Sequence, residues 1–367
     1  MEAFAFLFLS LPKITTMKFY SYLFIILTIF SSCKKESEDT PAYSKDYGSG
    51  MYIVTENGIS FYDGEVVKNQ IYKKVNGSSI LNGKKIKFNG TKAYIITDNQ
   101  ILTANVKTFE NKEEINGFTN VVDLDFISHD RLFVVDKNDS KLKVVDLTSL
   151  DIIAQIETGD STRPVFIVSN AYKSFALNGG GETFSERDST VITVDYRDQL
   201  VPLADFSGSI NLGYNPISAI HYYNPTILCK GVYNINDHSE DIESSIHKIN
   251  GWDNSIINSV VLSGVYNANN LAANNEATFL YFTAHDGIYK INGSSLSFSS
   301  ILTNKANVMR MNYEIYPITD STFYTVGMLY MNDMDNPSTI FKYNLYTSTF
   351  QDTIVVDGNV KDINFYQ

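Results

Sequence analysis

RLFVVDKNDSKLKVVD, residues 131–146, holds two apolar runs of strand length, each ending in Val-Val-Asp, with a polar Lys-Asn-Asp-Ser turn between them. β-branched and aromatic residues bounded by turn chemistry read as two paired strands. Working outward, the second run recurs along the chain as GISFYD (ending at Asp63), QILTAN (Asn105), TVITVD (Asp195), IHKIN (Asn250), GIYKIN (Asn292) and TIFKYN (Asn344). Counting Asp146, successive ends are 42, 41, 49, 55, 42 and 52 residues apart. The first run has its own copies, including GMYIVTE, KAYIITD, KSFALN and ATFLYFTA, one before each of the others. Their aromatics Tyr52, Tyr94, Phe133, Phe175, Tyr281 and Tyr324 read as residues that pack sheet on sheet. Asn-Gly occurs eight times and Asp-Gly three times, which supplies the positive φ that tight hairpins need.

A unit of about forty residues with four short strands is the signature of a propeller blade. The expected fold is all-β, a seven-bladed β-propeller over residues 49–367. Closure is legible at the ends. The first blade begins with its second strand at Gly50 and lacks an innermost one, and the chain finishes on NVKDINF, residues 359–365. That segment matches NVVDLDF, residues 120–126, the expected innermost strand of blade 3. The C-terminal strand is therefore expected to pair into blade 1, which removes a free sheet edge.

The N-terminus reads as an address. Met17-Lys18 precedes a twelve-residue apolar run, Phe19 to Phe30, and then Ser31-Ser32-Cys33. Residues 1–32 are expected to be a lipoprotein signal peptide, with Met17 a candidate true start and Cys33 the lipidated residue. The run is short for a bilayer span, although residues 1–32 as one long anchor is the rival reading. Residues 33–48 are the lipidated cysteine and a flexible tether, with charged Lys34-Lys35-Glu36-Ser37-Glu38-Asp39 at its start. The whole chain carries −12, and removing Lys13, Lys18 and Glu2 leaves −13. An acidic chain without a basic cluster argues against nucleic acid. Only Cys229 remains beside Cys33, and it reads as a buried strand residue.

Residues 131–195 resemble the YVTN-type propeller repeat: Phe133 to Asp136, Val144 to Asp146, a Thr158-Gly159-Asp160 turn and a proline-led strand from Pro164 to Ser169. The charged stretch after Cys33 resembles the sorting signal of surface lipoproteins in the Bacteroidota. The two resemblances together imply a lipoprotein propeller of that group, lipid-anchored in the outer membrane and exposed at the cell surface. Some such proteins capture corrinoids or other nutrients beside outer-membrane transporters. Activities vary within the group, so the resemblance bears on fold more than on function.

On a propeller, the connections between second and third strands share one face with the blade-to-blade connections, and loops there can grow without disturbing the ring. Three look enlarged, from Asn178 to Ser189 in blade 4, from Tyr233 to Ser244 in blade 5 and from Tyr330 to Pro337 in blade 7. The expected binding rim comprises Asn178, Glu182, Arg187, Tyr214, Tyr233, Asp237, His238, Tyr330 and Asp333, a mixture suited to polar or sugar-like ligands. Asp123, His221 and Asp362, with Asp125 and Asn364, are candidates to line the central channel. Asp123 and Asp362 occupy equivalent positions in their repeats, so a structural role explains both better than acid–base chemistry does.

The blade 5 loop offers Asp237, Glu240, Asp241 and Glu243 as hard oxygen ligands for calcium, but the spacing does not match the twelve-residue calcium loop. No metal site, cofactor or catalytic residue is assigned. Gly-x-Ser-x-Gly, His-Glu-x-x-His, Cys-x-x-Cys and the phosphate-binding glycine loop are absent, and ligands for quinone or haem are not identifiable. The leading expectation is a surface lipoprotein that binds a small molecule or glycan. The alternatives are a scaffold for another surface protein, and a hydrolase or lyase acting on a lactone, glycan or peptide.

Overall fold

The computed structural model describes residues 46–159, 162–181, 183–196, 205–234, 236–274, 276–303, 305–319 and 322–367. The expected signal segment, Cys33 and Glu182 lie outside the described residues, as does the side chain of Tyr324. Seven antiparallel sheets of four strands make the propeller. The recurring segments that end in Asp or Asn are the third strands of the blades, for example Gly58–Tyr62, Lys141–Asp146 and Gly287–Asn292. The runs before them are the second strands, for example Gly50–Thr55 and Arg131–Asp136.

The recurring Asp or Asn has a local cause. Its side-chain oxygen accepts backbone N–H groups two and three residues on, which closes the turn to the outer strand. Asn105 takes Lys107 and Thr108, Asp146 takes Thr148 and Ser149, and Asn292 takes Ser294 and Ser295, all at 2.8–3.1 Å. Each turn then passes through a left-handed residue four positions after the cap: Phe109, Leu150 and Leu296, with φ between 57° and 64°. The repeat marks a turn motif rebuilt from blade to blade among the described residues.

Blades meet through their sheet faces. Seven buried apolar clusters are each built mainly from two neighbouring blades. Tyr52, Tyr94, Phe133, Phe175 and Tyr281 are all buried in them, which is why these five second strands carry a large ring; that of blade 5, Thr226–Cys229, packs with aliphatic side chains and Cys229 instead. The innermost strand of blade 1 is Val360–Tyr366, from the C-terminus. It pairs with the second strand so that Gly50 faces Tyr366, Tyr52 faces Asn364 and Val54 faces Asp362. Among the described residues no helix is long and apolar enough to cross a membrane.

Because strands alternate in direction, the turns between innermost and second strands, and between third and outer strands, gather on one face. The second-to-third turns and the blade-to-blade connections gather on the other, called here the rim face.

Candidate functional site

Two concave regions stand out. The first is a cleft of about 370 Å³ on the rim face, between blades 4, 5 and 6. Its walls are the long second-to-third loops of blades 4 and 5, which contribute Thr183, Arg187, Tyr233, Asp237 and Glu240, with Asn215 and Asn267 from the blade-to-blade connections. Arg187 stacks its guanidinium 5.3 Å above the ring of Tyr214, a pairing that orients the cation. Around Tyr233 an aromatic cluster forms. His238, Tyr266 and His285 stand with ring centroids 5.5, 5.7 and 5.1 Å from it.

The loops that build the cleft are held from within. Asp237 Oδ1 accepts the N–H of Ser239 at 3.0 Å, Asp241 Oδ1 that of Asn234 at 2.8 Å, and Glu243 Oε1 that of Gly264 at 2.7 Å. His238 Nδ1 lies 2.8 Å from Asp241 Oδ2. The carboxylates considered for calcium are thus used to shape the loop, while Glu240 faces the cleft.

Of the rim residues expected from sequence, Arg187, Tyr233 and Asp237 line the cleft, and Tyr214 and His238 support it. Asn178 lies beneath the loop, fully buried, its amide donating to Thr158 O and Thr190 Oγ1 at 3.3 and 2.9 Å. Blade 7 stands apart. Its second strand runs on from Thr322 to Asp333, so the expected long loop shrinks to residues 334–338. Tyr330 is therefore a buried strand residue, its hydroxyl bonded to Glu314 and its ring 5.0 Å from Phe365 of the closing strand. Asp333 caps the short turn by accepting the N–H of Asp335 at 2.9 Å. Lys230, Asn215, Asn267, Tyr266 and His285 escaped the sequence reading because the elements carrying them meet only in space.

The second concavity, of about 610 Å³, is the central channel. His221 and Asp362 line it, along with Asp125, Lys85, Lys87, Arg310 and Lys361. Asp123 is fully buried in its wall, 3.2 Å from Lys85 Nζ and 3.0 Å from Lys87 Nζ. Its Oδ2 accepts the N–H of Ile167 in the next blade at 3.1 Å. Asp362 repeats the device, accepting the N–H of Ile86 at 3.1 Å, and Ser218 Oγ does the same for Leu271 at 3.2 Å. All three follow a bulge in an innermost strand, and each staples its blade to the next.

Burial alone would raise the Asp123 carboxyl; the two lysines and the Ile167 N–H outweigh it and hold it below the usual range. At Asp362 burial wins over Arg310 and Lys85, and the carboxyl is pushed up. The pair is thus a matched set of inter-blade acceptors, with His221 exposed at the far end of another strand. The lysines were legible as the alternation KIKFN, residues 85–89, which puts Lys85 and Lys87 on one side of a strand.

No protein-family model matches the chain. No curated protein matches it either. Solved structures do. A quinonprotein alcohol dehydrogenase-like protein from Bacteroides thetaiotaomicron aligns over 88% of this chain and 79% of its own, at 15% identity and TM-score 0.61. A putative 6-phosphogluconolactonase from Bacteroides fragilis aligns over 88% of this chain and 99% of its own, at 11% identity and TM-score 0.61. The likeness is one of fold. At these identities it says that the chain is a propeller and leaves the site to be argued from its own residues.

One half-buried group in blade 5 gives a pH prediction. His247 Nε2 accepts the N–H of Gly213 at 3.2 Å and lies 2.9 Å from Ser245 Oγ, while Nδ1 has no partner. Burial pulls its pKa from 6.5 to about 4. A depressed histidine favours the folded state while neutral, so its contribution is complete above pH 6.5 and is lost as pH falls toward 4. Urea midpoints are expected to drop between pH 7 and pH 5, and His247→Gln to flatten that drop; equal slopes in the two proteins would show that His247 is not responsible.

Proposed function

We propose that the chain is a surface lipoprotein whose propeller binds an extracellular small molecule or glycan in the cleft between blades 4, 5 and 6. The observation that carries this reading is the cleft itself. The two longest second-to-third loops converge on a volume of about 370 Å³, within the range of small-molecule sites. It combines stacking surface from the Tyr233 cluster with donors and acceptors from Arg187, Asn215, Asp237, Glu240 and Asn267. Rings for sugar faces and mixed polar groups for hydroxyls suit a neutral, polar ligand.

The chain's point of entry supports the same reading. Tyr47 N–H donates to Lys107 O at 2.8 Å, in the third-to-outer turn of blade 2, on the face opposite the rim. A tether that joins the propeller there joins it opposite the cleft.

The test is a deletion strain assayed for surface binding and uptake of labelled oligosaccharides and small nutrients. A defect is expected for at least one of them, restored by the wild-type gene and not by the Tyr233→Ala form. Wild-type binding and uptake of every compound would overturn the reading.

A further inference from the structure

We propose that the face of the propeller opposite the rim rests on the lipid bilayer through an aromatic patch on the turns of blades 4 and 5; this builds on the lipoprotein reading above. Tyr172 stands in the inner turn of blade 4, Tyr222 and Tyr223 in that of blade 5, and Trp252 in the third-to-outer turn of blade 5. They are 39%, 46%, 60% and 51% exposed.

The patch is one rigid unit. The rings of Tyr172 and Trp252 pack edge-on at 5.6 Å. The Gly251 N–H donates to Asn224 Oδ1 at 3.0 Å, and Lys173 Nζ donates to the Trp252 carbonyl, so the three turns lock together.

The distribution of exposed rings is one-sided. Among the described residues, Phe279 at the start of a second strand and Tyr346 in a third-to-outer turn, 38% and 80% exposed, also sit on this face, whereas Tyr214 at 36% is the most exposed Tyr, Phe or Trp of the rim face. Rings with an apolar body and a polar edge are the side chains that settle at the headgroup level of a membrane. In water such a surface is a liability unless something covers it.

The occupant follows from where the chain enters. Asp46 is held beside Lys107, with Oδ2 3.8 Å from Nζ, on this same face. Cys33 precedes Asp46 by thirteen residues, a reach of at most about 45 Å even fully extended. A lipid on Cys33 therefore keeps a bilayer close to this face at high local concentration, so modest interfacial affinity per ring is enough to seat it. A soluble partner would receive no such help from the anchor.

Trp252 is the only tryptophan in the chain and thus an intrinsic reporter. The full lipidated protein is reconstituted on phosphatidylethanolamine–phosphatidylglycerol vesicles, with and without lipids brominated on their acyl chains. The proposal expects the protein to float with the vesicles, and Trp252 emission to shift to the blue, to resist aqueous iodide and to be quenched roughly twofold by the brominated lipid. Replacing Tyr222 and Tyr223 together by Ser, at exposed positions, should weaken the quenching while flotation persists. Protein that floats with Trp252 unquenched by the lipid overturns the proposal alone, whether the ring is open to iodide or covered by protein. Protein that does not float overturns the anchor reading and this proposal with it.

Discussion

Removal of residues 359–367 abolishes the folded ring. The segment is the innermost strand of blade 1, although it is last in sequence. Its loss strips Gly50 to Thr55 of one ladder and takes Ile363 and Val360 out of the cluster shared with blade 7. Two buried aliphatic side chains represent at most about 1.5–3 kcal/mol each. The ladder hydrogen bonds add about 1 kcal/mol apiece. Also lost are the Asp362 bond to Ile86 and the acceptance of Arg310 Nε by Ile363 O at 3.0 Å. The sum rivals the roughly 5–15 kcal/mol that separates a folded domain from its unfolded chain. The truncated protein is expected to show no cooperative thermal transition by circular dichroism and to be degraded by low protease concentrations that spare the full chain. A cooperative melt within a few degrees of the full-length protein would show that the ring does not depend on this strand.

Asp123→Ala is expected to be the most damaging single substitution in the channel. It takes from Lys85 and Lys87, now about 3 Å from the carboxylate, their nearest counterion and leaves them Asp125 and Asp362 in the channel. It also leaves the Ile167 N–H without an acceptor. The lysines line the channel, where water reaches them, so the cost lies mainly with the orphaned Ile167 N–H and the lost charge pairing, about 1–3 kcal/mol. Replacing Lys85 and Lys87 by Met in the same protein should recover only the share owed to the lysine charges, since the Ile167 N–H stays without its acceptor. Urea unfolding of the single and triple variants measures both numbers; a single variant within about 0.5 kcal/mol of wild type would place the staple's energy elsewhere.

Most of the fold was legible because its cause is local. The Asp or Asn at the end of each third strand announces a turn that its own side chain closes, so Asp63, Asn105 and Asn344 repeat for the same reason. Closure was legible because Asp123 and Asp362 perform one task, and NVKDINF therefore resembles NVVDLDF. The cleft was half legible: loop length pointed to blades 4 and 5, but the convergence of Tyr233, Tyr266 and His285 arises from three separate chain segments. Tyr330 misled because Tyr-Met-Asn-Asp has loop composition. Strand continuation there is enforced by pairing with Arg310 on one side and Lys342 on the other, neither near in sequence.

The cleft as a ligand site is tested most directly by native mass spectrometry of the protein released from its own membrane without washing steps that strip small molecules. The wild-type protein is predicted to carry a small molecule or glycan at one per chain, absent from the Tyr233→Ala/Arg187→Ala double variant. Wild-type protein that carries no bound species, or a double variant that retains the same one, would contradict the assignment of this cleft.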